Sequence, residues 1–321
     1  MGEKEEAFKG ERMSNEHKFR LFHVGGREGG IGPAGILFQL GKNLSLSVFE
    51  ANLTEDSSLE MFDKGMEGYA EQYSIEISIM QQCLSDCVGK KEFYINMEPS
   101  CSSLLKVSPL ALNYQRMHGE KRIIWGEACQ PANTIEIDVT TLDELYNNHI
   151  IELPHFLSID AQGAEYDILV GASKALEDNL VGVITEVEFR ELYDNQKLFS
   201  DQFTLLRSHQ FNLFDLYSQE YWYSSHIIGS GALMVAEALF LRDLNYFIEK
   251  DKEPNLLFPN LSKLAIAAFV FGKADYAFQI TKYMVENWPE EWRTYIEQSN
   301  TEFLYGLMEF YWQFKRRTLN E

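Results

Sequence analysis

The chain has 321 residues, of which 45% are hydrophobic, 13% aromatic and 24% charged, a composition typical of a folded protein and not of a disordered one. The formal net charge is -21 at pH 7, and the basic residues cluster only at Lys315, Arg316 and Arg317. Nucleic acid is therefore excluded as an expected partner, because a polyanion would be repelled.

The cysteines and apolar runs bear on the compartment. The four cysteines, at positions 83, 87, 101 and 129, lack zinc-ligand spacing and are expected to be free thiols. The first residues have neither segment of a secretory signal, and no apolar run approaches the roughly 20 residues that span a bilayer. We expect a cytoplasmic protein with no membrane partner.

Residues 1–17 are charged and unpatterned, which predicts a flexible tail. The following patterns predict a strand at 19–24, a helix at 31–40, a strand at 45–50, a helix at 57–73 and a strand at 75–84. Such alternation is typical of a parallel sheet. Then come a short strand at 92–95, a loop-rich insertion around 99–131, a half-buried strand at 134–139 and a short helix at 142–146.

Four more strands are predicted at 156–160, 182–189, 211–217 and 233–242. Without the two short strands that flank the insertion, seven core strands remain, and the pattern alone indicates an open α/β sheet. Apolar spacing then predicts helices at 244–249, 261–271, 274–288 and 290–314. We therefore expect a main domain at 18–243 and a helical C-terminal annex at 244–321, which packs on the sheet or on a second subunit of a homo-oligomer.

A glycine-rich loop, FHVGGREGG at 22–30, follows the first strand. Glycine lets the backbone approach a ligand that a Cβ would exclude. Glu50 ends the second strand, where its two oxygens can accept both hydroxyls of a ribose. A rival pattern, GIGPAG at 30–35, matches the dinucleotide motif, with Glu50 about 20 residues later. It does not directly follow the strand, so a nicotinamide-dependent oxidoreductase is a weaker alternative.

Acidic residues mark the ends of two later strands. Asp160 ends the run FLSID at 156–160, while Glu186 and Glu188 point to the same face of their strand. Glu165 is expected to begin the next helix, where an acid favours the helix dipole. Burying such acids is costly unless they are hydrogen-bonded or metal-bound. Two interpretations stay open: a divalent cation held by Asp160 and Glu186, or Glu186 and Glu188 orienting a polar acceptor directly.

These features, together with LSDCVGKKEFY at 84–94 and SSLL at 102–105, resemble the FkbM family of S-adenosylmethionine-dependent methyltransferases. The resemblance covers residues 19–243. It implies a Rossmann-like class I methyltransferase sheet of seven strands with the last antiparallel. It also implies cofactor contacts from the loop under the methionine part and from an acid near adenine, and the residues assigned to these are His23, Gly25, Gly26, Arg27 and Asp86. His23 stands where the family usually has an acid.

The resemblance implies transfer of a methyl group from S-adenosylmethionine to a hydroxyl of a small metabolite or glycan. Asp160 is the best candidate to orient or deprotonate that hydroxyl, with Glu186 and Glu188 beside it. Candidate acceptor contacts are Gln162, Trp222 and His226, since aromatic residues beside a cleft suit a sugar. The alternative from another class is a non-catalytic binding module with a degraded cofactor site.

Overall fold

The computed structural model describes residues 18–25, 30–51, 56–299 and 302–318; Gly26, Arg27 and the predicted tail at 1–17 lie outside these ranges. The strands of the described ranges are β1 (Phe19–Val24), β2 (Leu44–Phe49), β3 (Glu76–Met80), β4 (Cys83–Leu84), β5 (Gly89–Asn96), β6 (Gln115–His118), β7 (Lys121–Ile124), β8 (Pro131–Thr140), β9 (Phe156–Ile159), β10 (Gly182–Glu188), β11 (Phe211–Trp222) and β12 (Ala232–Arg242).

Helices connect and flank these strands. The α-helices of the described ranges are α1 (Asp56–Tyr73), α2 (Trp125–Ala128), α3 (Leu142–Asn147), α4 (Glu165–Val170), α5 (Ser173–Asp178), α6 (Phe199–Ser208), α7 (Leu244–Lys250), α8 (Pro254–Val270), α9 (Ala274–Asn287), α10 (Pro289–Ser299) and α11 (Glu302–Thr318). The more tightly wound 3-10 helices cover Gly32–Asn43 and Pro99–Cys101.

The main sheet has seven strands in the order β11-β12-β10-β9-β1-β2-β3. Parallel pairing joins β10, β9, β1, β2 and β3, whereas β12 runs antiparallel to both β10 and β11. The predicted α/β architecture on a seven-stranded sheet is confirmed. From β1 the chain continues to β2 on one side and later returns to β9 on the other, so the strand order reverses between β1 and β9, where open sheets bind ligands.

Both faces of the main sheet are covered, which explains its nearly continuous apolar strands. In β1, Leu21 belongs to the apolar cluster under the first 3-10 helix and the C-terminal helices, while Phe22 belongs to the cluster on the opposite face. Successive side chains of a strand point to opposite faces. The alternation in β1 therefore ties both helical layers to the centre of the sheet.

Beside the main sheet, β4, β8 and β5 form a three-stranded sheet, and β6 and β7 form a hairpin. The third strand predicted at 75–84 was too long, because β3 ends at Met80 and Cys83–Leu84 pairs with β8 instead. The insertion predicted as loop-rich contains the β6–β7 hairpin and α2. Helix α6 was not predicted.

After β12, the described residues form the helices α7 to α11 and contribute no further strand. These helices pack on one face of the main sheet, where the ring of Phe271 stacks on that of Phe156 at a centroid distance of 5.2 Å. They share the apolar cluster of that face with Leu21 and Ile184. Within the described residues, no helix is both long and apolar enough to cross a membrane.

Candidate functional site

A pocket opens at the carboxyl ends of β1, β2 and β9, beside the point where the strand order reverses. Its walls combine apolar side chains with two carboxylates and two side-chain amides. The lining residues include Val24, Gly25, Phe49, Glu50, Cys83, Leu84, Phe93, Leu104, Asp160 and Gln162. Both predicted strand-end acids, Glu50 and Asp160, therefore lie on the same pocket.

Gly25 forms part of this pocket and brings two strand ends into contact. Its N–H donates to the carbonyl of Phe49 at 3.0 Å, and its φ angle is +94°. A Cβ at this position would lie 1.7 Å from the carbonyl oxygen of Asp160. Only glycine allows the chain to pass this close, so the predicted need for glycine here has a specific steric cause.

His23, two residues earlier, lies inside the sheet and does not line the pocket. Its Nδ1 is 2.9 Å from Oγ of Ser158 on the neighbouring strand. Burial lowers the pKa of His23 to about 4, although the carbonyls of Gly30 and Gly25 oppose the shift. The ring is therefore neutral at pH 7, and His23 supports the pocket from within the sheet. The other predicted loop contacts, Gly26 and Arg27, lie outside the described residues.

Glu50 follows β2 and is 6% exposed. Its N–H donates to the carbonyl of Met80 at 3.1 Å, which fixes the end of β2 against β3. Across the pocket, burial and then the charge of Glu50 raise the pKa of the Cys83 thiol to about 12. Cys83 is therefore a neutral thiol at pH 7 on the pocket that Glu50 also lines.

Asp86, the predicted adenine contact, is not one of the residues that line the pocket. Its Oδ1 accepts from the ammonium of Lys91 at 2.6 Å and from the hydroxyl of Ser85 at 3.0 Å. The hydrogen bond from Lys91 is the main reason that the pKa of Asp86 is lowered. The pocket is instead lined by Gln82, Cys83 and Leu84. The structure thus places Asp86 in a turn-stabilising ion pair and does not bring it to Glu50.

Asp160, which lines the pocket, comes together with Glu165 and Glu186, and each of the three has one carboxylate oxygen within 4.8 Å of the others. Glu165 is fully buried. Its Oε1 accepts from the backbone N–H of Ala161 at 2.8 Å and of Gly163 at 3.1 Å. Glu165 does begin α4, as expected, but its carboxylate turns back into the site.

The amide of Gln162 bridges two of these acids. Its Nε2 donates to Oδ1 of Asp160 at 2.8 Å and to Oε2 of Glu186 at 3.3 Å. Its Oε1 accepts from the hydroxyl of Tyr193 at 3.1 Å. Gln162 is therefore oriented by a buried phenol, and its backbone, at a φ of +53°, is held in the left-handed region.

Two further acids surround this group. Glu188 shares a strand face with Glu186 and is buried, while Glu237 on β12 stands opposite Glu186 in the strand register. Burial raises the pKa of Glu165 to about 7. Burial, followed by the charge of Asp160, raises the pKa of Glu237 to about 8. The same two causes raise the pKa of Glu186 well above its ordinary value. Carboxyl groups are thus crowded in a poorly solvated cluster beside the pocket, where burial and mutual repulsion disfavour their ionised forms.

Trp222 and His226, predicted to contact the acceptor, are not brought to the pocket. Trp222 is buried against Trp125 at a ring-centroid distance of 5.0 Å, and its indole N–H donates to Glu220. His226 is exposed and lies beside the hydroxyl of Ser225. An aromatic cluster in the sequence does not reveal which side of a strand faces a cleft, and the structure places Trp222 in a packing contact outside the residues that line this pocket.

Sequence reasoning missed the contribution of Glu165 and Glu237 to the site. For Glu165, the position at a helix start gave a sufficient explanation and hid the turn of its carboxylate toward Asp160. For Glu237, a signal was present. It is the one acid within the otherwise apolar run LMVAEALFL at 233–241, and a carboxylate in a buried strand needs a partner or a function.

The methyltransferase FkbM domain model matches residues 49–213, and the chain belongs to this family. Among solved structures, it is similar to methyltransferase FkbM from Methylobacillus flagellatus KT, with 14% identity and a TM-score of 0.38 over 70% of this chain and 44% of that one. MtNAS in a complex with MTA and tNA is 11% identical, with a TM-score of 0.28 over 74% of this chain and 59% of its own. The chain thus spans about half the length of these structures. No match was found among curated proteins.

Proposed function

We propose that the protein is an S-adenosylmethionine-dependent methyltransferase that acts on a hydroxyl group of a small metabolite or glycan. The observation that carries the proposal is that Glu50 and Asp160 line the same pocket, together with Gly25. It lies at the strand-order reversal of a sheet whose chain belongs to the FkbM methyltransferase family.

The residues present fit the cofactor in two respects. Glu50 is nearly buried yet lines the pocket, and a carboxylate in that position can accept both hydroxyls of a ribose. Apolar side chains of Phe49, Leu84 and Phe93 line the same region and suit the faces of an adenine ring. When bound, the cofactor supplies an electrophilic methyl group on a sulfonium.

Asp160 and Gln162 form the part of the pocket that we assign to the acceptor. Most of the acceleration of a displacement comes from holding the attacking oxygen in line with the transferred group. The hydroxyl must also lose its proton, for which a carboxylate within hydrogen-bond reach is suited. Asp160 fills this role in the proposal, and the amide of Gln162 fixes its orientation.

Calorimetric titration with S-adenosylmethionine and with its demethylated product tests the cofactor assignment. Glu50→Gln should weaken both affinities by about 1 to 3 kcal/mol, the scale of hydrogen bonds to a charged group. Glu71→Gln, an exposed carboxylate on α1, is the matched control and should leave both unchanged. Unchanged affinity in Glu50→Gln would remove the ribose assignment, and no binding by the wild type would favour a binding module for another ligand.

A further inference from the structure

The acidic cluster of Asp160, Glu165 and Glu186, which adjoins the pocket at Asp160, has the geometry of a cation site. Two oxygens bound to one ion lie at most twice the metal–oxygen distance apart, which is about 4.2 Å for Mg²⁺ and about 5 Å for Ca²⁺. One oxygen of each of the three carboxylates lies within 4.8 Å of the others. The upper limit of this spacing lies within the span of Ca²⁺, whereas a smaller ion such as Mg²⁺ would bind all three oxygens only if they moved closer together.

The bonding of the buried oxygens points to a ligand independently of this spacing. Both Glu165 and Glu188 are nearly fully buried, and in each the Oε2 atom has no hydrogen-bond partner among the described residues. The other oxygen of Glu165 accepts two backbone N–H groups, which hold the carboxylate with Oε2 left over. A buried carboxylate oxygen without a partner is costly, and a bound cation removes that cost.

Charge balance supports the same conclusion. In the part of the chain that the structure describes, no lysine or arginine forms an ion pair with Glu165, Glu186 or Glu188. Full burial of Glu165 also limits the size of its counterion, because an organic ammonium cannot follow the carboxylate beneath the surface. A small ion is the better fit.

We propose that Asp160, Glu165 and Glu186 bind one divalent cation of the oxygen-preferring class, Mg²⁺, Mn²⁺ or Ca²⁺. Glu188 lies next to these ligands as an acceptor for ion-bound water. The binding itself does not depend on the proposed function. Only its role does: on that proposal, the cation lies where the acceptor hydroxyl is oriented and makes that hydroxyl more acidic.

The test is binding of Mn²⁺ alone to the metal-stripped full-length chain, followed by electron paramagnetic resonance and calorimetry at fixed ionic strength. We expect one ion per chain. Glu186→Gln and Glu165→Gln should each weaken it by at least about 10-fold, while Glu136→Gln, an exposed acid of β8, should not. Because Glu165→Gln can also disturb folding, the fold of each variant is checked by circular dichroism. If Glu165→Gln is unfolded, the Mn²⁺ affinity of Glu186→Gln alone tests the site.

Several outcomes would overturn the site. One is the absence of stoichiometric Mn²⁺ binding at millimolar concentration. Another is a loss of Mn²⁺ affinity in Glu136→Gln as large as that in Glu186→Gln. A third is displacement of Mn²⁺ by ammonium chloride at a concentration equal to that of Mn²⁺. Failure of the methyltransferase proposal is recognised separately, since it shows in the S-adenosylmethionine titration and not in Mn²⁺ binding. If Mn²⁺ binds and the cofactor does not, the cation site stands and the proposed function falls.

Discussion

Acidification tests the buried state of His23. The pKa of this side chain is lowered from its ordinary value of 6.5 to about 4 by burial in the sheet. Between these two pH values, the unfolded chain binds a proton that the folded chain excludes, so the free energy of unfolding falls as the pH falls. The stabilisation is fully present above pH 6.5 and is lost progressively down to about pH 4.

The size of the effect follows from the shift. A difference of about 2.5 pH units corresponds to about 3 kcal/mol at 1.36 kcal/mol per unit, and about 2 kcal/mol of this should be lost between pH 7 and pH 4.5. Burial makes the full value applicable, because the ring of His23 is 2% exposed. Other groups titrate in the same range, so the comparison must be made between variants.

Urea unfolding at pH 7 and pH 4.5 measures the effect in the wild type and in His23→Asn. Asparagine keeps a polar partner for Ser158 but does not titrate, so the variant should lose about 2 kcal/mol less on acidification than the wild type. Ser158→Ala removes the 2.9 Å contact but keeps the histidine, and it should show the pH dependence of the wild type. If His23→Asn and the wild type lose equal stability, the ring is not held neutral by burial.

Two substitutions test the pocket itself. Gly25→Ala should lower the free energy of unfolding by at least about 2 kcal/mol in the same urea assay, since it places a Cβ against the carbonyl of Asp160 at a positive φ. The control is Gly35→Ala, which should leave the free energy of unfolding unchanged because its Cβ meets nothing within 4 Å. Asp160→Asn should reduce methyl transfer by about 10² to 10⁴-fold once an acceptor is identified, with little change in cofactor affinity by calorimetry. A wild-type rate in Asp160→Asn would remove this residue from the mechanism.

The sequence was most informative where burial leaves a continuous apolar run. The strands around Leu21 and Leu157 are read from such runs, and the acids that end them, Glu50 and Asp160, line the pocket as predicted. Where one apolar run serves two sheets, the pattern fails. The residues of 75–84 stay strand-like across Gln82, so nothing in the pattern shows that β3 ends at Met80 and β4 joins another sheet.

Side-chain direction in loops and turns was the other limit. Asp86 and Glu165 each stand in a sequence context that explains an acid locally, as a turn residue and as a helix start. Only the tertiary structure separates them, because Asp86 is paired with Lys91 whereas Glu165 accepts from the backbone N–H groups that follow Asp160. The chemistry of the acidic cluster around Asp160 therefore depends on contacts that spacing along the chain does not encode.

The central position of β1 determines which fragments of this chain can form the main sheet. The stretch that the family model matches, residues 49–213, leaves out β1, all of β2 except Phe49, most of β11 and the whole of β12. A fragment cut at those limits would keep β9 paired with β10 but separate both from β3. It would also lack Phe271 and so expose the face of the Phe156 ring that Phe271 covers. In this chain, the matched stretch is therefore smaller than the set of strands and helices that completes the main sheet and its apolar clusters.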